Sequence, residues 1–199
     1  MKRLLLFLSI IIFISCSNSK NTPEFIKAVQ GKYLFNSDEY IEITFVEAKM
    51  NVEWRGKKNI KPVKVNDSTF YLQDMNEKLI FKRQPKMHIL LANKREHEGK
   101  TYTFEKMAEG EKTPGEYLLA KEYDKALAGY LAIQQKDSLD RTINQWKFNR
   151  LGYQFLRKNN VDEAIEVFKI NTQLYPNSSN TYDSLAEGYW QKNDTVNTL

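Results

Sequence analysis

The chain has 199 residues, of which 41% are apolar and 13% aromatic, and this composition excludes an intrinsically disordered protein. Its length is sufficient for one compact domain or two small ones. The formal net charge of +5 is modest. No basic stripe with interleaved aromatic residues occurs, so we expect no nucleic-acid partner.

The first residues are typical of an export signal. Two basic residues precede an apolar run over residues 4–14, which is too short to span a bilayer because a spanning helix needs about 20 residues. The run ends in Ser15 followed by Cys16, the only cysteine of the chain. An exported protein with one cysteine cannot form an internal disulfide, so Cys16 requires another explanation.

This N-terminal stretch resembles a bacterial lipobox, although Phe13 stands where leucine is commoner. The resemblance implies a signal peptide over residues 1–15, acylation of Cys16 and a lipid-anchored tether over residues 16–24. It also implies a protein of the bacterial cell envelope. Ser17 after the cysteine resembles lipoproteins of the outer rather than the inner membrane, and the side that the protein faces stays open. An ordinary signal peptide with a chance cysteine is the alternative.

Residues 25–107 alternate between apolar and polar positions with a period of two. Ile41, Ile43 and Phe45 are separated by polar residues, and the pattern recurs over residues 50–54. Such alternation predicts half-buried strands of an antiparallel sheet. Turn-forming residues separate further strands that we expect at residues 68–73, 78–83, 87–92 and 101–106. A small β domain is therefore predicted, either a meander, a sandwich or a barrel-like fold.

Within this β region, residues 31–33, 67–72 and 102–104 carry a further resemblance. They are similar to the small accessory domain that follows the catalytic domain in some β-lactamase-like serine hydrolases. The tetrapeptide at residues 17–20 has the S-x-x-K form of the nucleophile motif in such enzymes. Because it lies in the polar tether with no catalytic domain around it, we interpret it as coincidental and expect no enzymatic activity.

From residue 115 onwards the apolar spacing becomes helical. A tetratricopeptide repeat pairs two helices over about 34 residues, with a W-x2-L-G-x2-Y, then A-x3-F, then P pattern. The chain matches this pattern at Phe148, Leu151, Gly152, Phe155, Ala164, Phe168 and Pro176. The first-helix part recurs one repeat later at Tyr182, Leu185, Ala186 and Tyr189.

Residues 115–199 therefore resemble tetratricopeptide repeat proteins, with one complete unit and two partial ones. The earlier partial unit contains Tyr117, Ala126 and Tyr130, and Pro114 with its following glycine shortens its first helix. A generic helical hairpin with coincidental aromatic residues is the alternative. The predicted fold class is α+β, with a small antiparallel β domain followed by all-α repeats.

The resemblance to repeat proteins implies a non-catalytic module that binds a protein or peptide on the concave face of its first helices. Candidate docking residues on those helices are Asn149, Gln154, Lys158 and Asn180. The chain ends before a second helix could cover Leu185, Tyr189 and Trp190. We therefore expect a partner or a second copy of the chain to cover them, unless the natural chain is longer.

Two other functions stay open at this point. One is an accessory component, or a detached C-terminal part, of a β-lactamase-like serine hydrolase system. The other is binding of a lipid or glycan by the β domain. The two histidines give no metal-binding spacing, since we expect His88 to be structural in a strand and His97 to lie in a solvated loop. No metal and no cofactor are therefore expected.

Overall fold

The computed structural model describes residues 20–193. The predicted signal peptide, Cys16 and most of the predicted tether lie outside the described residues. Within them, an antiparallel β domain is followed by a helical region, so the fold class is α+β. None of the described helices is both long enough and apolar enough to cross a membrane.

One sheet of nine antiparallel strands forms the β domain, preceded by helix α1, Pro23–Val29. The strands are β1 Gly31–Leu34, β2 Tyr40–Val46, β3 Lys49–Trp54, β4 Lys57–Ile60, β5 Val63–Lys64, β6 Thr69–Leu72, β7 Glu77–Lys82, β8 His88–Leu91 and β9 Thr103–Lys106. Two single 3-10 turns, Gln73–Met75 and Arg95–His97, interrupt the loops. The strands at 69–72, 77–82, 88–91 and 103–106 coincide with those expected from the alternating pattern.

The sheet is strongly curled. Its strand order is β4-β3-β2-β1-β9-β8-β7-β6-β5, so the two edge strands, β4 and β5, are neighbours in the chain. Only Lys61 and Pro62 separate the end of β4 from the start of β5. Three consecutive Cα–Cα steps span at most about 11 Å. The two edges therefore approach each other without pairing, and the sheet forms a half-barrel in which the pairing of β1 with β9 joins the first four strands to the last five.

Helix α1 closes one end of this half-barrel. Thr22 caps the helix by accepting a hydrogen bond from the backbone N–H of Phe25 at 3.2 Å, and Pro23 occupies the first turn. The ring of Phe25 lies 5.6 Å from the rings of both Phe70 and Phe81 and 6.4 Å from that of Phe45. These partners belong to strands in both halves of the sheet, so one aromatic side chain joins them.

The folded domain begins earlier than the sequence suggested. Asn21 is 7% exposed, and both its backbone N–H and its side-chain amide donate hydrogen bonds to the carbonyl of Ala48, at 2.8 and 3.0 Å. Residues 21–24, part of the predicted tether, therefore belong to the β domain. Helix α1 was not expected because seven residues are too few to display a helical period.

Five helices make up the remainder of the described chain. They are α2 Pro114–Leu119, α3 Tyr123–Lys136, α4 Gln145–Arg157, α5 Val161–Leu174 and α6 Ser179–Gln191. Thr113 and Glu116 form a capping box at the start of α2, and Asn144 caps α4 by accepting from two backbone N–H groups. Helices α2 and α3, and then α4 and α5, are paired, while α6 packs on α5.

A steric requirement explains the glycine in the middle of α4. A Cβ atom at Gly152 would lie 2.2 Å from Cε1 of Phe168 on α5, which is closer than real carbon atoms approach. Phe168 and Ala164 are both fully buried at this contact. Only a residue without a side chain lets the two helices approach this closely.

The two regions meet around Asp38 in the loop between β1 and β2. Its carboxylate accepts hydrogen bonds from the backbone N–H of Gly115 at 2.6 Å and from the hydroxyl of Tyr130 at 3.1 Å. The ammonium group of Lys147 lies 3.7 Å away, and the Asp38 side chain is only 6% exposed. A loop of the β domain thus contacts α2, α3 and α4 simultaneously.

Candidate partner-binding surface

Helices α4 and α6 lie side by side, with α5 packed behind both. Side-chain amides join them: Gln145 and Asn149 on α4 donate to Oδ1 of Asn180 on α6, at 3.3 and 3.4 Å. Further along the same seam, the Tyr153 hydroxyl donates to Oε2 of Glu187 at 2.8 Å. Burial raises the pKa of this hydroxyl, so it remains a hydrogen-bond donor at neutral pH.

The bonded pairs along the seam are 31 to 35 residues apart in the chain. This separation is about the length of one helix-pair repeat. Helices α4 and α6 are therefore neighbours at a chain spacing close to that of one helix-pair repeat. Such stacking produces a continuous surface on the side that faces away from α5.

The outward face of α4 carries exposed residues at helical spacing. It is formed by Trp146, Arg150, Gln154 and Arg157, which follow one another at intervals of four, four and three residues. Trp146 is 65% exposed although it is a large aromatic residue. An indole and two guanidinium groups on one helix face provide stacking and multiple hydrogen-bond donors for a partner.

The predicted docking residues on α4 lie in different places. Gln154 is exposed on the outward face, and Lys158 is exposed at the residue that ends the helix. Asn149 is half-buried in the seam, where its Oδ1 is buried without a hydrogen-bond partner among the described residues. Asn149 and Asn180 thus form the floor between the helices rather than the exposed surface.

Helix α6 leaves one side uncovered. Thr181, Ser184 and Gly188 are buried, while Tyr182 is 49% exposed and Trp190 is 64% exposed. In α4 the residue one repeat before Tyr182 is Phe148, which is 1% exposed. Among the described residues, the aromatic position that is buried in α4 is therefore exposed in α6.

The remaining residues of the pattern predicted for α6 are partly buried. Leu185 packs partly on the cluster of Leu156, Ala164 and Phe168, and Ala186 and Tyr189 are half-buried. An apolar strip along α6, defined by Tyr182, Leu185, Tyr189 and Trp190, is consequently accessible in part. We call it the α6 strip.

Trp146, Arg150 and Arg157 are not among the predicted docking residues. Their spacing could have shown them, because residues four or seven positions apart share one face of a helix. The repeat pattern drew attention to the buried positions instead. Asp38 carried no local signal at all, since its partner Tyr130 is 92 residues away.

The prediction for His97 was wrong. The residue is 7% exposed, with its Nε2 atom 3.2 Å from Oε1 of Glu77 and its ring 5.0 Å from that of Tyr102. Lys94 donates to the same Glu77 oxygen at 2.5 Å. The three polar groups hold the long loop between β8 and β9 against β7. A short 3-10 turn buries the histidine, and the nearby Gly99 had suggested only a turn.

His88 lies at the start of β8, half-buried, with Nδ1 2.8 Å from the carbonyl oxygen of Lys86. Over residues 20–193, no three side chains of histidine, cysteine, aspartate or glutamate lie close enough together to hold a metal ion.

Comparison with known proteins gives limited similarity. No protein-family model matches the chain, and no curated protein sequence matches it. Seven solved chains do, among them MamA of AMB-1 and MamA of MSR-1. They are 27% and 26% identical over 43% of this chain, with a TM-score of 0.28 in both cases. The matches span 45% and 47% of those chains, and a TM-score this low does not define a shared fold.

Proposed function

We propose that this chain is a lipid-anchored, non-catalytic protein of the bacterial cell envelope that binds a protein or peptide partner through a tetratricopeptide-type helical region. The observation that supports it most is the side-by-side arrangement of α4 and α6, one repeat apart and joined by polar contacts. This arrangement is the basis of partner binding in stacked helix-pair proteins.

The partner fits the outward face of α4 and α6. Trp146 supplies a large apolar surface, and Arg150 and Arg157 supply fixed donors for carboxylates or backbone carbonyls. Exposed aromatic and arginine side chains are the residue types that dominate binding energy at protein interfaces. The α6 strip extends this surface at its C-terminal end, where the same partner or a second copy of the chain would bury it.

The β domain then serves as the N-terminal cap of the repeats. The first pair contributes only a six-residue α2, and the loop carrying Asp38 binds where an earlier turn of that helix would lie. Stacked repeats need such a cap because an end repeat would otherwise expose its apolar face. This role needs no ligand in the β domain, whose interior is filled by aromatic rings, among them Tyr33, Trp54, Phe70 and Phe104.

Site-specific photo-crosslinking in the native envelope tests the binding surface. The crosslinker is placed at Gln154, on the outward face of α4, and at Gln173, an exposed residue of α5 on the opposite side of the helical region. We expect a discrete adduct from position 154 and none from position 173. Adducts from neither position, or equally from both, would contradict the proposed surface.

The anchor requires a separate test. Metabolic labelling with a fatty-acid analogue should label the wild-type chain and leave Cys16→Ser unlabelled, because acylation needs the thiol. Equal labelling of both would refute lipidation at Cys16 without affecting the result of the crosslinking.

A further inference from the structure

The end of the half-barrel that α1 closes is also the end from which the N-terminal chain leaves. Asn21 donates hydrogen bonds to the carbonyl of Ala48 in the turn between β2 and β3. The Nζ atom of Lys64 lies 3.3 Å from the carbonyl oxygen of Lys20. Ser68, next to the turn between β5 and β6, bonds to Phe81 near the end of β7. Three turns and the start of the described chain therefore meet at one end, which we call the anchor end.

Cations predominate among the exposed residues of the anchor end. The exposed basic residues are Lys20, Lys27, Lys49, Lys82, Arg83 and Lys86. The exposed acidic residues are Glu24, Glu47 and Asp67. One of the three carboxylates, that of Asp67, already lies 3.3 Å from the ammonium group of Lys64. The surface thus presents six exposed cations against two carboxylates that lack this pairing.

Two apolar side chains project between these cations. Val46, at the end of β2, is 59% exposed, and Val65, after β5, is 52% exposed. Small apolar side chains surrounded by lysine and arginine are suited to the boundary between lipid head groups and acyl chains. The same composition suits a protein partner less well, because lysine is depleted at protein interfaces.

We propose that the anchor end binds an anionic lipid surface and so orients the protein on its membrane. The orientation argument rests on the proposed acylation of Cys16, which precedes Lys20 by four residues. Four residues of chain reach at most about 14 Å. An acylated Cys16 therefore holds the anchor end against the bilayer, where its cations meet the anionic head groups.

The opposite end of the half-barrel supplies a matched control. Strand β2 runs from Tyr40, beside the helical region, to Val46 at the anchor end, a length of about 20 Å. The hairpin of β3 and β4 carries Lys57 and Lys58 at the Tyr40 end, since Trp54 pairs with both Ile41 and Lys57. These two exposed lysines face away from a membrane bound at the anchor end.

The experiment uses the full chain, purified from membranes and reconstituted into vesicles of phosphatidylcholine alone or of phosphatidylcholine with phosphatidylglycerol. Lysine acetylation is followed by mass spectrometry. We expect Lys49, Lys82 and Lys86 to react at least about fivefold more slowly on the anionic vesicles. One basic residue near such a surface raises the binding constant for the membrane by about that factor. Lys57 and Lys58 should react equally on both, and high salt should remove the difference.

Charge-reversal variants distinguish binding by the anchor end from attraction of the whole protein to anionic lipid through its net charge. The double variant Lys82→Glu/Arg83→Glu should abolish the protection of Lys49, while Lys57→Glu/Lys58→Glu, with the same change in net charge, should retain it. Equal effects of the two variants, or equal reaction of Lys49 on both kinds of vesicle, would overturn the proposal.

Flotation with the neutral vesicles reports the anchor alone. A chain that floats with them but shows no protection on anionic lipid retains its anchor and refutes the lipid-binding surface. A chain that fails to float with neutral vesicles, yet shows protection on anionic ones, retains the surface and refutes the anchor.

Discussion

The β domain and the helical region bury their apolar residues in different ways. In the β domain, Phe25 contacts strands from both halves of the sheet, and the two edge strands are joined by two residues. In the helical region α2 packs on α3, α4 packs on α5 and α5 packs on α6, and α6 leaves Tyr182 and Trp190 exposed. The curled sheet buries most of its large apolar side chains in its own interior, whereas a stack of helix pairs presents an end face. This difference is why we assign stability mainly to the first region and partner binding to the second.

The largest expected effect comes from creating a cavity in the core of the β domain. Phe25→Ala removes the ring that contacts Phe45, Phe70 and Phe81. The cavity lies among rings from several strands that cannot collapse together, so we expect the free energy of unfolding to fall by about 4 kcal/mol. Urea denaturation followed by aromatic fluorescence measures it. Lys27→Ala, on an exposed position of the same helix, should be nearly neutral.

A smaller effect is expected where α4 and α5 touch. Gly152→Ala gains about 1 kcal/mol of helix propensity. It also places a methyl group 2.2 to 2.7 Å from three atoms of the Phe168 ring. Overpacking of this kind costs up to about 3 kcal/mol, so we expect a net loss of about 2 kcal/mol in the stability of the helical region.

Gly188→Ala is the matched control on α6. Its Cβ would lie 3.1 Å from Cγ1 of the buried Ile165 and 3.4 Å from the Phe168 ring, so a shift of a few tenths of an ångström would accommodate it. There the gain in helix propensity should offset the contact, and stability should be unchanged or slightly increased. If both substitutions stabilise the helical region, the close approach of α4 and α5 is not what requires glycine.

The sequence was most informative where a local period exists. Alternation on β2 and β3 predicted the buried Ile41, Ile43, Val52 and Trp54, because a half-buried strand requires it. Strand β4 escaped prediction because three of its four residues are exposed and only Ile60 is buried. The repeat pattern likewise identified Gly152 and Phe168, two residues whose contact is fixed by close helix packing.

Contacts between distant segments could not be predicted from one sequence. The insertion of β9 between β1 and β8 leaves no period in the chain. The bonds of Asp38 to Gly115 and Tyr130 depend on how the two regions meet, which no spacing encodes. His97 is buried because a whole loop folds onto Glu77, again a tertiary effect.

A substitution at Asp38 tests whether the β domain and the helical region unfold together. Asp38→Ala leaves the N–H of Gly115 and the hydroxyl of Tyr130 without this acceptor, which we expect to cost about 1.5 kcal/mol. Scanning calorimetry should then show a broader unfolding transition, because the bonds of Asp38 are among the contacts that couple the two regions, together with those of Ser37 to Asp140 and Lys32 to Glu116. A transition of unchanged width and midpoint would show that other contacts hold the junction.

Asp38→Asn retains an acceptor oxygen and removes the charge. Burial is the dominant influence and raises the pKa of the Asp38 carboxyl, against smaller opposing effects from Gly115 and Lys147. The folded state therefore binds this proton more tightly than the unfolded state does. The stability of the wild type relative to Asp38→Asn should accordingly fall as the pH rises from about 4 through the raised pKa. A relative stability that is constant or rises over this range would contradict the assignment.

The smallest effect is expected from the ion pairs on the outside of the helical region. Hydrogen bonds from Lys112 and Lys125, at 2.6 Å each, lower the pKa of Glu122 to about 2. A depressed acid pKa stabilises the folded state above its ordinary value of 4.5 and loses that contribution as the pH falls through about 2. Because the side chain of Glu122 is 31% exposed and its ion pairs are screened by solvent, Glu122→Gln should leave the unfolding midpoint unchanged at neutral pH. High salt should raise the pKa of Glu122 towards 4.5 in a carboxyl NMR titration. A marked loss of stability in this variant would mean that surface charge, rather than the packing of α4 and α5, stabilises the helical region.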